Sequence, residues 1–315
     1  MLPSGRGSSP AYRPAGWRTA VRVLLTGSTG FIGRQLLPAL EAAGHEVTTV
    51  TRTRTLHHTP AVRADLRYDA LMPAVDGHEV VIHAASVTAG SETEMWNGNA
   101  VATRRLVEAA TAVGARVISM STTGVYGRSS GMFGDPLHIR RAPSSPLSRS
   151  RAAAEDAVFG AGGTVIRPHV VFGPGGRWVV PPLVHFMGAG NAWLGGADIA
   201  VAAISTRRLA EGTAALLHRR LPTVIHAAEP EPVPVADLIR SAFTASGAVF
   251  PSRVVSVAAA HTRLRRFGVS LNALRMLGES SRMDSGTFWA ADAPTTGSGQ
   301  TNSPARPEPK LRAYP

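Results

Sequence analysis

The sequence predicts an α/β fold, a doubly wound parallel sheet with a smaller lobe C-terminal to it. Three observations carry that expectation. From Val21 to Arg167, short β-branched apolar runs alternate with Ala-, Leu- and Arg-rich stretches of helical period, the pattern of repeated strand–helix–strand units around a parallel sheet. A glycine-rich turn joins the first of these strands to the first helix. From about Pro181 onward the alternation loses its regularity, which places a domain of residues 21–180 before a lobe of residues 181–290.

Taken in order, Val21 to Thr26 (VRVLLT) reads as the first strand and Phe31 to Ala43 as a helix closed by Gly44, with Pro38 a mild misfit inside it. Val47 to Thr51 is the second strand and Glu79 to His83 another. Ala100 to Val113 is a helix that Gly114 can cap. Arg116 to Met120 is a strand, Arg151 to Phe159 a helix and Thr164 to Arg167 a strand. In the second lobe Thr206 to Leu217 and Val235 to Phe243 read as helices, the first with Ser205 or Thr206 as its cap, and Arg253 to Val257 as a short strand. Residues 1–20 and 291–315 carry no apolar periodicity and are expected to be disordered tails.

Composition narrows the function classes. The 315 residues are 44% apolar and 17% charged, fewer charges than the roughly 25% of an ordinary soluble domain, and enough apolar residues for a real core. No cysteine is present, which removes disulfides, thiolate chemistry and Cys-ligated metals. His45, His57 and His58 have no partner at metal-ligand spacing, so no metal is expected. No apolar run reaches the eighteen or so residues of a membrane helix, and Met1 to Ala20 has no signal-like apolar stretch. A soluble, cytoplasmic protein without membrane contact follows. The formal charge of +12 suggests nucleic acid at first sight. Yet Lys310 is the one lysine, Arg6, Arg13 and Arg18 crowd the N-terminal tail, and no recognition motif accompanies the arginines. No nucleic-acid partner is expected.

Thr26-Gly27-Ser28-Thr29-Gly30-Phe31-Ile32-Gly33 follows a strand and opens a helix, the context that a Rossmann-type dinucleotide fingerprint requires. Gly27 permits the tight turn, Gly30 lets the backbone approach a pyrophosphate, and Gly33 allows close helix packing. The helix N-terminus adds amide donors and partial positive charge. Gly27, Thr29, Gly30, Phe31, Ile32 and Gly33 are the expected cofactor contacts. The second strand ends at Arg52, where an acid would accept both ribose hydroxyls of NAD. A cation there suits a 2′-phosphate, so NADP is expected, with NAD the alternative. Arg52 and Arg54 also read as solvated loop charges.

These motifs, together with Asp65-Leu66, VIHAAS, Asn99, STTGVYG and RPHVVFGPG, resemble the extended short-chain dehydrogenase/reductase family, in its NAD-dependent epimerase/dehydratase branch. The likeness runs from about Val21 to Arg177. It implies that Asp65 and Leu66 contact adenine and that Ala84, Ala85 and Ser86 line the cofactor. Asn99 matches the family's asparagine before the fifth strand, and Pro168 borders the nicotinamide. Alignment on Val125-Tyr126-Gly127 puts Thr122 at the active-site Ser/Thr position. Family members then carry a Tyr-x-x-x-Lys pair, whereas this chain reads Ser145-Pro146-Leu147-Ser148-Arg149-Ser150-Arg151. Leu147 takes the tyrosine position and Arg151 the lysine position.

The family's tyrosine moves a proton while hydride passes to or from the nicotinamide, and a positioned acid/base is worth about 10² to 10⁴ in rate. Leu147 moves no proton. Arg151 can hold a ribose, but its pKa above about 12 bars it from proton relay. Two replacements suggest themselves. Tyr126 lies in the VYG motif beside the site and is read as a substrate contact. His169 follows Arg167-Pro168 on the loop that in relatives borders nicotinamide and substrate, and reads either as a stand-in acid/base or as a packing residue. Arg177 is placed to bind a substrate phosphate and Trp178 to stack on a ring or anchor the core. Arg207 and Arg208, near a helix start, read as facing an anion or solvent.

The sequence therefore points to an NAD(P)-dependent epimerase/dehydratase-type oxidoreductase with atypical catalytic residues Thr122, Arg151 and His169. It would act on a hydroxyl or keto carbon of a small molecule, with a nucleotide-linked sugar as the default by family analogy. The alternative is an NAD(P)-binding regulator or redox sensor without turnover. A homodimer is compatible with either.

Overall fold

The computed structural model describes residues 20–53, 59–128, 130–176, 184–188, 191–246, 251, 253–265 and 271–290. The two tails, Arg54, His57, His58, Arg177 and Trp178 lie outside the described residues.

Seven parallel strands form the main sheet: β1 (Arg22–Thr26), β2 (Glu46–Thr51), β3 (Ala61–Arg63), β4 (Val80–His83), β5 (Arg116–Met120), β6 (Thr164–Pro168) and β7 (Val224–Ala227). Their order is β7-β6-β5-β4-β1-β2-β3. The chain runs outward from β1 through β2 and β3, then returns to place β4 on the other side of β1. That reversal opens a crevice above the carboxyl ends of β1 and β4, where ligands bind in open α/β sheets.

Alternation along the strands fills two layers. Val23, Leu25, Ile82, Ile118, Ile166 and Ile225 face one core, which α1 (Gly33–Ala42) covers through Leu36 and Leu40, and α4 (Thr206–Ala215) through Leu209. Leu24, Val81, Val117 and Val165 face the other, covered by Leu106 of α2 (Ala102–Ala112) and Val158 of α3 (Pro146–Gly160). With both faces covered, the strands read as apolar runs rather than half-polar ones. Pro38 sits inside α1 as the sequence suggested. The helix ends at Gly44, whose φ of +83° is the left-handed conformation that glycine takes at low cost.

Two strands of the main sheet escape the sequence pattern. β3 has three residues, and His226 interrupts the four of β7, so neither shows an apolar run. The second of these moves the domain boundary. Because β7 pairs with β6, His226 opposite Arg167, and α4 lies against α1, the stretch from Thr206 to Ala227 belongs to the layers of the main sheet. A division at residue 180 therefore does not enclose the sheet. The smaller lobe keeps its own core, including Val170, Trp193, Val201, Ile239, Val257 and Leu277.

α3 starts more than a turn before the sequence expectation. Ser145 accepts from the Ser148 amide (3.1 Å) while Ser148 Oγ accepts from the Ser145 amide (2.9 Å), and Pro146 occupies the first helical position. This reciprocal cap carries serine where glutamate is usual, and it brings Leu147 and Arg151 onto one helix, a turn apart.

Candidate functional site

The glycine turn is shaped by what cannot fit in it. A Cβ on Gly27, whose φ is +75°, would strike the Ala84–Ala85 backbone, and one on Gly33 would strike the Gly27 carbonyl. The Gly30 amide closes the turn on the Gly27 carbonyl at 2.9 Å. Inside it the Ser28 hydroxyl is buried and has no hydrogen-bond partner among the described residues. A buried polar group without a partner is costly, and here it sits beside the N-terminus of α1, with its partial positive charge. The turn thus fits a pyrophosphate. Thr29 is exposed and its carbonyl accepts from Arg34 Nε at 2.9 Å, whereas Ile32 packs onto the core. Phe31 lies against Gly176, so the Gly173–Gly176 turn adjoins the same mouth.

At the end of β2, Arg52 Nη1 lies 3.9 Å from Asp65 Oδ2. Arg67, unnoticed in the sequence, holds both oxygens of Asp65 at 3.0 and 2.7 Å. That bonding, with desolvation opposing it, pulls the Asp65 pKa down to about 2. The side chain of Leu66 is in the core.

Beyond β4, Ala84 and Ala85 line the wall under the turn. Ser86 Oγ donates to Asn99 Oδ1 at 3.0 Å, which also accepts from the Val87 amide at 2.8 Å. Asn99 Nδ2 donates to the Val87 carbonyl (2.9 Å) and to Ser150 Oγ (3.0 Å). The amide is fully engaged, so the expected cofactor contact from Asn99 is replaced by a clamp between the β4 loop and α3. The π-helical stretch Trp96–Val101 aims it there. Below, His83 bridges Thr26 Oγ1 (2.7 Å) and Thr103 Oγ1 (2.8 Å). Burial first, and the Arg151 charge second, lower its pKa to about 4.

Arg151 takes the family's lysine position and reaches across the crevice, donating to the Ser121 carbonyl (3.3 Å) and Ser86 Oγ (3.1 Å). Burial lowers its pKa while the Glu155 charge opposes the shift. Thr122 begins the turn after β5, its Oγ1 accepting from the Gly124 amide at 3.1 Å. Leu147 offers no proton.

Of the two candidate replacements for the tyrosine, Tyr126 is held elsewhere. The Tyr126 hydroxyl is buried between His226 Nε2 (2.6 Å) and Arg167 Nη1 (2.9 Å), and burial raises its pKa. It belongs to a core cluster rather than to a substrate surface, which corrects the expectation drawn from the VYG motif. His169 is buried, with Nδ1 2.7 Å from Thr123 Oγ1 and its ring against Phe133. It is thereby joined to the Thr122 turn. Arg207 pairs with Glu211 (2.7 Å), and Arg208 pairs with Glu229 (3.2 Å) and lies over the Trp289 ring, so each arginine has a protein carboxylate for its anion. Ser205 caps that helix, accepting from the Arg208 amide.

Sequence reasoning passed over Ser121, Arg67 and His226 as site neighbours, and left Glu155 and Arg167 without roles. Glu155 had a signal, one helical turn after Arg151. His226 had none, since it arrives from β7. Among the described residues no group of three histidines or carboxylates is placed to hold a metal, and no helix is long and apolar enough to cross a membrane.

The sheet order, the glycine turn and the crevice edged by Ser86, Ser121 and Arg151 define a dinucleotide-binding protein of the extended short-chain dehydrogenase/reductase type. Residues 23–192, more than half of the chain, match the model of the NAD dependent epimerase/dehydratase family, and the chain belongs to that family. The ceramide reductase of Caulobacter vibrioides is 32% identical over 163 residues, covering 49% of this chain and 47% of the relative. The 2-alkyl-3-oxoalkanoate reductase of Stenotrophomonas maltophilia is 28% identical over 186 residues, covering 52% and 55%. The chain thus spans about half the length of the curated relatives it matches. Over a larger span the fold is similar to that of a UDP-glucuronic acid 4-epimerase from Bacillus cereus, solved with NAD, at a TM-score of 0.66, 18% identity, and coverage of 88% and 94%.

Proposed function

We propose that the chain binds NADP(H) over the carboxyl ends of β1, β4 and β5 and acts as an oxidoreductase on a hydroxyl or keto carbon. The observation that carries the reading is the glycine cradle with its Ser28 hydroxyl, unpartnered among the described residues, opening onto a crevice edged by Ser86, Ser121 and Arg151. The α1 N-terminus takes the pyrophosphate, Arg52 favours the 2′-phosphate over NAD, and Ser86 and Arg151 hold the nicotinamide ribose. When bound, the nicotinamide gives or accepts a hydride. Thr122 orients the substrate oxygen. His169, joined to that turn through Thr123, is the proposed titratable group in place of the absent tyrosine. Nucleotide-linked sugars are the first substrates to try, as the Bacillus cereus neighbour is an epimerase of one. Arg177 and Trp178 are proposed substrate contacts. A cytoplasmic location and a homodimer complete the reading, the dimer supported by an apolar groove lined by Ala100, Val107, Ala153 and Ala157.

A second reading, a cofactor-binding protein without turnover, draws on Leu147 and on the buried engagement of Tyr126. Binding and hydride transfer separate the two. Stoichiometric NADPH binding with deuterium passing from labelled NADPH to a ketose supports the enzyme, and His169→Ala is then expected to lower turnover. Stoichiometric binding with no transfer across a broad ketone panel supports the second reading.

A further inference from the structure

Two arginines from different strands converge on one carboxylate oxygen. Arg52 follows β2 and Arg67 lies on the turn after β3, its pairing neighbour. Arg67 Nη2 is 2.7 Å from Asp65 Oδ2, and Arg52 Nη1 is 3.9 Å from the same atom. The Arg67 amide and Nε both donate to Oδ1 at 3.0 Å. The turn is fixed from behind. Asp69 Oδ2 accepts from the Asp65 amide at 2.7 Å, and Arg105 reaches over from α2 to the Asp69 carbonyl at 2.8 Å. The cluster is open on its outer side, Arg52 being 61% exposed.

Two guanidinium groups bring ten N–H donors and two positive charges, and a single carboxylate answers only part of either. A phosphate, with three acceptor oxygens and close to two negative charges at neutral pH, would answer more of both. We propose that Asp65 is an internal counter-ion that the 2′-phosphate of NADP displaces from Arg67, so that Arg67 and Arg52 together select the phosphorylated cofactor. This deepens the NADP reading above and rests on it. Without a 2′-phosphate, Asp65 stays on Arg67, with two donors on Oδ1 and one on Oδ2.

The test compares adenosine 2′,5′-bisphosphate with adenosine 5′-monophosphate by calorimetric titration of the full chain, ligands that differ only in the 2′-phosphate. The bisphosphate is expected to bind about tenfold or more tighter, the scale of a hydrogen-bonded charge pair. Arg67→Ala should remove most of that ratio, with Arg67→Gln as a second variant should the first fail to fold. Asp65→Asn should raise the ratio, because the competing charge is gone. Equal binding of the two nucleotides by the wild type, or a ratio that survives Arg67→Ala, overturns the proposal while leaving a dinucleotide site. Binding of neither nucleotide overturns the site itself.

Discussion

Glu155 and Arg167 meet in a two-point ion pair, Arg167 Nε to Oε1 at 2.8 Å and Nη2 to Oε2 at 2.6 Å, with both side chains almost wholly withdrawn from water. Each has further partners. Glu155 accepts from Ser121 Oγ at 2.5 Å and from Arg141 at 3.2 Å, and Arg167 donates to Tyr126, which passes the chain to His226. One network therefore ties α3, β5, β6 and β7 together directly beneath Arg151, and it fixes the Ser121 end of β5 from which Thr122 projects.

The pair sets a stability expectation with a definite asymmetry. Glu155→Leu leaves a buried guanidinium without its counter-charge, which typically costs about 3 to 5 kcal/mol. Replacing both partners, Glu155→Leu with Arg167→Met, removes the stranded charge and should recover most of that loss. Urea unfolding of the single and double variants measures both. A double variant as unstable as the single one would show that the network acts through its side bonds to Ser121 and Tyr126 rather than through the pair.

Two buried histidines make the fold acid-sensitive. His83 and His226 each have their pKa lowered from 6.5 to about 4, by burial first, then by the Arg151 charge on His83 and the Arg167 charge on His226, with Asp284 and Asp135 opposing weakly at His226. Between those values the unfolded chain binds protons that the folded chain refuses, so stability falls as pH drops from about 6.5 and the loss is complete a little below pH 4. At 1.36 kcal/mol per unit the full effect is about 3 kcal/mol for each histidine. Denaturation midpoints measured at pH 7 and pH 5 should differ accordingly, and His226→Gln should flatten the dependence by about half. A midpoint unchanged over that range would mean that the imidazoles are charged in the fold.

The linear features of this molecule were legible in its sequence because they depend on neighbours along the chain. Thr26 to Gly33 announces its turn through glycines that a strand–turn–helix crossing requires, and Leu147 and Arg151 stand out because they fill the Tyr and Lys positions of the motif that the resemblance supplies. What stayed hidden depends on partners far away. Tyr126 looked like a substrate contact until β7, a strand of four residues, delivered His226 to its hydroxyl. Asn99 looked like a cofactor ligand, and no local pattern revealed that Ser86, Val87 and Ser150 would engage its amide. Short parallel strands carry too few residues to show a period, and with them went the true edge of the sheet and the division at residue 180.

Leu147 and Arg151 permit the sharpest functional experiment. They lie one turn apart on α3, held by the Ser145–Ser148 cap, and Arg151 already spans Ser86 and the Ser121 carbonyl. The combined variant Leu147→Tyr with Arg151→Lys returns a phenol and a titratable amine to positions where the backbone is set for them. A positioned proton donor is worth about 10² to 10⁴ in rate, so single-turnover oxidation of NADPH by a ketose should accelerate by that order over the wild type. Leu147→Phe with Arg151→Lys restores the ring without the hydroxyl and should show no gain, which separates proton transfer from simple filling of space. Equal rates for the Tyr and Phe variants would place the limit on turnover away from α3.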